Sequence, residues 1–320
     1  PPRRSPRAVE MDEVMAVDES DPPGVTTRTA EPEVREPARP AAAHDHVCGC
    51  ASSGGPSSGS FVYAIGRIEA RFPNLAVEKE FAQSTGHADT AGLTDQQVFR
   101  DVLAAPGNRY MAREVCWVLT VQGIDTYILS PRDPRDFDLL VESVRPEPDP
   151  LDLDVVIGTR GRLAPPEVCN GLVVPVVAVD QVYSFDRDSL LRAIPKSASM
   201  SDEQHQAAAR QVLSMILQLA DNAGATDEHR ALNYLAMRYP DIYTRTGEQF
   251  AADHSLSGIE VRSSTLSTYR RVMNCIFTYT HRTTAFTEKS VVSVDVTEKF
   301  PFLVGKLSTY LDRVGRVGAP

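Results

Sequence analysis

Residues 1–60 contain no Phe, Trp, Tyr, Leu or Ile, whereas the next twelve, from Phe61 to Phe72, read FVYAIGRIEARF. That change divides the chain in two. A segment without large apolar side chains cannot bury enough surface to offset the entropy of ordering it, so residues 1–60 are predicted to be a disordered linker or tail. This segment also holds nine of the 23 prolines and ends in SSGGPSSGS, the composition of a flexible tether. Folding falls to residues 61–320, a length able to bury a sizeable core.

Charge narrows the function classes. Residues 1–60 carry six Arg against ten acids, the remainder 27 Lys and Arg against 33 acids, and the chain totals −10. No clustered basic stripe is present, which argues against a nucleic-acid binder. No run approaches the roughly 18 apolar residues of a membrane helix; Leu172 to Val179 is short and interrupted by Pro175. No secretory apolar core follows the N-terminal arginines, so a cytoplasmic location is expected. The five cysteines, with Cys116, Cys169 and Cys275 in apolar surroundings, are accordingly expected as reduced thiols.

Periodicity sketches the elements. FVYAIGRIEARF alternates as a half-buried strand, and TDQQVFRDVLAA opens on Thr94 and Gln97 at capping-box spacing before a helical face of Val98, Val102 and Leu103. Gln122-Gly123 between two apolar runs marks a tight hairpin. PRDFDLLVESV reads as a helix begun by Pro134, LDLDVVIGTRG as a buried strand, and LVVPVVAVDQVYSF as a strand that Pro175 limits to an edge or bulge. A helix is predicted from Ser201, paired with Gln204 as a capping box, to about Asn222. A second runs from after Gly224 to about Tyr239, and a third over DIYTRTGEQFAADH. RRVMNCIFTYTHR and KSVVSVDVTEKF read as strands, and PFLVGKLSTYLDRV as a closing helix with Phe302, Leu303, Leu307, Tyr310 and Leu311 inward. Strands and helices mix without regular βαβ alternation. The fold class expected is therefore α+β, a mixed, mainly antiparallel sheet with flanking helices.

The candidates for chemistry have ordinary competitors. His44, His46, Cys48 and Cys50 are of zinc-binding types, but they stand two apart inside the linker, so they are weak metal candidates and no metal is assigned. Within residues 61–320 there is no G-x-S-x-G elbow and no Gly-rich phosphate loop, so no cofactor is implied. Asp152 and Asp154 would share a strand face as an acid and base or as metal ligands, or stand at a solvated strand entrance. Cys116 precedes Trp117 in a core-like run, while Cys169 and Asn170 lie in the loop PPEVCNGL, where functional residues concentrate. In DNAGATDEHRALNYLAMRYP, Thr226 is a good N-cap and Asp227 and Glu228 suit a first helical turn. His229 with Asn233 and Arg230 with Tyr234 are one turn apart on a helix, so they form a candidate binding surface or an internal network.

Longer phrases carry more. FVYAIGRIEARFPNLAVEKEFAQ, NRYMAREVCWVLTVQGIDTYIL, PPEVCNGLVVPVV, DNAGATDEHRALNYLAMRYP and FTEKSVVSVDVTEKFPFLVGKLS resemble the C-terminal domain of the PatG family, the cyanobactin maturation proteases, whose PatA relatives carry a similar domain. The resemblance runs from about Phe61 to Asp312. It implies a place in the maturation of ribosomally made peptides, tethered to a subtilisin-like protease domain, with precursor peptide or peptide-modifying enzymes as partners. The protease's Asp, His and Ser motifs have no matching positions here. Three functions follow as expectations: a non-catalytic accessory domain, an enzyme using His229 with Glu228 or Cys169, and a dimerisation module forming a homodimer.

Overall fold

Strand β1 (Phe61–Arg71) belongs to two partners at once. Its first half, Phe61 to Gly66, pairs antiparallel with β4 (Leu153–Leu163), and its second half, Arg67 to Arg71, pairs antiparallel with β2 (Cys116–Val121). Gly66 stands where the strand changes partner, and a Cβ there would collide with the Thr120 carbonyl oxygen. Only a glycine lets the two backbones approach this closely.

The computed structural model describes residues 60–85, 95–146, 149, 152–186, 189–190, 201–219, 221–265 and 269–311. The capping residue Thr94 and the predicted linker fall outside them. All described residues belong to one compact unit. Hairpin partner β3 (Ile124–Pro131) follows β2 through Gln122 and Gly123, both at positive φ (53° and 78°), as the tight turn requires. Strand β5 (Pro175–Phe185) then runs parallel to β3 and antiparallel to β4, closing a barrel of order β1-β2-β3-β5-β4.

Between β1 and β2 lie helices α1 (Leu75–Thr85), α2 (Asp95–Ala104) and α3 (Met111–Glu114). Between β3 and β4 lies α4 (Asp136–Ser143), whose Leu140 and Val141 join the barrel interior beside Trp117, Leu119 and Val156. A closed five-stranded barrel with a parallel β3–β5 pair and a capping helix between β3 and β4 has the connectivity of an OB-type barrel. Trp117 satisfies its indole N–H on the Ala112 carbonyl at 2.8 Å, so this large side chain is buried at no hydrogen-bond cost.

The second half stacks on the outside of that barrel. Helices α5 (Asp202–Leu217), α6 (Asp227–Arg238) and α7 (Asp241–Ala251) precede an antiparallel sheet of β6 (His254–Ser263), β7 (Val272–His281), β8 (Thr287–Asp295) and β9 (Phe302–Thr309). One continuous core joins the outer face of the barrel (Tyr63, Ile65, Val155), the helices (Val212, Ile216, Leu235) and the inner face of the sheet (Phe277, Tyr279, Val294). The fold is α+β, with two mainly antiparallel sheets. Among the described residues no helix is long and apolar enough to cross a membrane.

Several predicted elements are corrected. The closing helix is strand β9: Leu303 and Leu307 face the core, while Phe302 and Leu311 are 41% and 81% exposed. Residues four apart share a face in either conformation, and β9 supplies the pairing that β8 would otherwise lack. Of the two places expected for Pro175, an edge or a bulge, the structure takes the second: β5 lies between β3 and β4, and the register shifts between Arg160 and Leu163 beside Pro175. Pro175 is its first residue, opposite Leu163 beyond a register shift, where the ladder does not need its missing N–H. Helix α5 ends at Leu217, earlier than predicted, because the chain turns through Asp221 at φ 59° to reach β1.

Candidate functional site

The start of α6 obeys its local chemistry. Thr226 accepts the His229 N–H at 3.2 Å, and Asp227 sits in the first turn, where it also receives Arg271 at 3.0 Å. Arg230 is 1% exposed. Its guanidinium donates to the carbonyls of Val296 (2.8 Å), Glu298 and Lys299 (3.1 Å), lies 3.4 Å from Asp227 and stacks over the Phe61 ring. Burial lowers its pKa to about 10, still charged at neutral pH.

Asn233 is also 1% exposed; it donates to the Tyr63 carbonyl at 2.8 Å and pairs with the amide of Asn222. Arg230 and Asn233 therefore do not form a binding surface. Their polar groups face inward because the turn after β8 and the backbone of β1 present carbonyls that need donors. Tyr234 is half-buried, edge-on to Tyr63 with ring centroids 6.4 Å apart. His229 is half-buried, with Nδ1 unpartnered, and burial lowers its pKa despite the nearby charges of Glu228 and Asp221.

Cys169 and Asn170 occupy a different place, the 164–174 loop joining β4 to β5. The loop is closed by the Ala164 N–H on the Val174 carbonyl at 2.9 Å and tightened by the Gly171 N–H on the Pro166 carbonyl at 2.7 Å. Asn170 and Gly171 take positive φ (46° and 87°), which an Asn-Gly pair tolerates. Ala164, Cys169, Leu172 and Val174 pack over Cys116, Val118 and Ile128, covering the outer face of β2 and β3.

Cys169 is joined to Cys116 as a disulfide, with Cα atoms 5.9 Å apart. The expectation of reduced thiols fails for this pair, because the loop brings together two residues 53 apart in sequence. It also removes Cys169 as a nucleophile for His229, since the sulfur is already bonded. Cys275 is free and fully buried, and burial pushes its thiol pKa up.

Beside the loop opens a cleft of about 600 Å³ between the end of β1, the first helices and residues 169–172. Phe72 and Phe99 form its apolar wall, their rings 4.9 Å apart and Phe99 packed on Phe81 at 4.7 Å. Arg71 lies at the rim, doubly bonded to Asp125 at 2.6 Å and to Glu69 at 2.8 Å, so its charge is spent within the protein. Glu78 is exposed, and its carboxylate has no partner among the described residues. The sequence singles out Cys169 and Asn170 in this lining but not Arg71, Phe72, Glu78 and Phe99, which only the barrel closure brings to them.

Asp152 and Asp154 are buried, which overturns the solvated strand entrance. Asp154 accepts the Ile68 N–H at 2.7 Å and the Ser184 hydroxyl at 2.5 Å, and burial raises its pKa to about 6. Among the described residues no group of three His, Cys, Asp or Glu could hold a metal ion; His44, His46, Cys48 and Cys50 lie outside them.

Residues 199–310 match the family described as PatG C-terminal. A solved "PatG Domain of Unknown Function" is similar to this chain with a TM-score of 0.64 and 22% identity, over 79% of this chain and 99% of that one. At that identity the likeness is one of fold. No curated protein matches the chain.

Proposed function

With residues 199–310 matching the PatG C-terminal family, we propose that the chain is a non-catalytic accessory domain in the maturation of ribosomally synthesised, cyanobactin-like peptides. It binds precursor peptide or the enzymes that modify it, and it works tethered to a subtilisin-like protease domain. The observation that carries this reading is the open cleft beside Cys169 and Asn170. Its volume lies within the range of ligand sites, about 300–1,000 Å³, and it combines an aromatic wall with a few polar groups. Arg230 and Asn233 serve the fold, and Cys169 holds the loop that walls the cleft.

Isothermal titration of the full chain with candidate precursor peptides and with the pathway's modifying enzymes tests the proposal. Saturable binding to either class supports it. Silence toward both at high concentration sinks it.

A further inference from the structure

We infer that the cleft between the end of β1 and the 164–174 loop is the ligand site of the OB-type barrel, and that it takes a short extended peptide segment bearing apolar side chains and a lysine or arginine. The inference deepens the peptide-binding reading above and rests on it. In barrels of this topology, ligands lie across the β2–β3 face between the β1–β2 and β4–β5 connections. Here that face is filled by the chain itself, with Leu172 and Val174 seated on Val118 and Ile128 and the loop cross-linked through Cys116 and Cys169. What stays open lies between the same two connections, displaced to the side: residues 72–78 after β1 form one bank, and residues 169–172 form the other.

The lining selects the ligand class. A phosphate backbone needs uncommitted cations, but Arg71 is neutralised by Asp125 and Glu69, and the charge left over is the Glu78 carboxylate. Nucleic acid is thereby disfavoured. A stacked sugar or base needs an open aromatic face, whereas Phe72 and Phe99 are half-buried and packed on each other and on Phe81. An aromatic wall suits aliphatic side chains, and the rim carboxylate of Glu78, without a partner among the described residues, suits an ammonium or guanidinium. The Asn170 side chain is exposed at the opposite bank, where its amide can bond a peptide group.

Fluorescence anisotropy of the full chain tests this with three labelled probes: short peptides alternating leucine and lysine, their leucine–glutamate counterparts, and oligothymidylate. The leucine–lysine peptide is expected to bind, and hydrogen exchange is expected to slow in residues 72–78 and 164–174 on binding. Glu78→Arg is expected to weaken binding about five- to tenfold, while Glu203→Arg, the same charge change on exposed α5, alters it less than about twofold. Both substitutions lie on exposed helical positions, and circular dichroism confirms folding. Equal loss in the two variants, protection elsewhere, or preference for the glutamate peptide or oligothymidylate overturns the site. If precursor peptide binds in the titration above while Glu78→Arg leaves its affinity unchanged, the accessory function stands and this location falls.

Discussion

Asn222 and Asn233 exchange reciprocal amide hydrogen bonds at 2.8 and 3.2 Å inside the fold, and Asn233 spends its second donor on the carbonyl of Tyr63. Two amides thus join the turn before α6, α6 itself and β1. Asn233→Ala leaves the Asn222 amide and the Tyr63 carbonyl without those partners. A loss of about 2–4 kcal/mol is expected from urea denaturation, and Asn233→Asp should fare no better because a carboxylate cannot donate to Tyr63.

Arg230 makes a parallel case with charge added. Its guanidinium closes the turn after β8 by donating to three carbonyls, a geometry an ammonium cannot reproduce. Arg230→Lys is therefore expected to cost about 2 kcal/mol or more, and Arg230→Met about as much, in thermal melts. A Lys variant as stable as the parent would show that the positive charge alone matters.

Asp154 gives the fold a pH dependence of definite sign. Burial, the leading cause, lifts its carboxyl from 3.8 to about 6, against the opposing hydrogen bonds from Ser184 and Ile68. Between about pH 4 and pH 6 the folded state then binds more protons than the unfolded, so this group's contribution falls as pH rises through that window. Relative to Asp154→Asn, the parent should gain about 2 kcal/mol of stability on acidification from pH 6 to pH 4. Denaturation curves of both proteins across that range check it, and a constant difference would rule the titration out.

The bond between Cys116 and Cys169 closes a loop of 53 residues. Restricting the unfolded chain by that much is worth about 4 kcal/mol in the loop-entropy account. Cys116→Ser is expected to lower the guanidinium midpoint and to speed hydrogen exchange across residues 164–174. Thiol titration of the unfolded parent, before and after reduction, should differ by two groups. An unchanged count would remove the cross-link.

Much of this arrangement was legible where the signal is local. The Ser201 and Gln204 capping box forms in both directions, Thr226 caps α6, and Gln122-Gly123 makes its hairpin. Local signals failed where two conformations share a period, as at Leu303 and Leu307, whose spacing of four suits strand and helix alike. They failed again at Arg230 and Asn233, because a polar stripe looks the same whether water or carbonyls await it. The Cys116–Cys169 pair and the meeting of Phe72 with Asn170 depend on barrel closure, which leaves no trace in the spacing of either segment.

The double duty of β1 sets where the chain can be cut. Its Tyr63 N–H bonds the Gly224 carbonyl at 2.9 Å, and its Tyr63 and Ile65 lie in the same core as Leu235 and Phe277. The stretch that matches the family, residues 199–310, thus ends inside a shared interior and is not an excisable unit. Expressed alone it would bare the helix faces that now rest on Tyr63, Ile65, Val155 and Ile157, and the smallest piece worth cloning starts at Phe61.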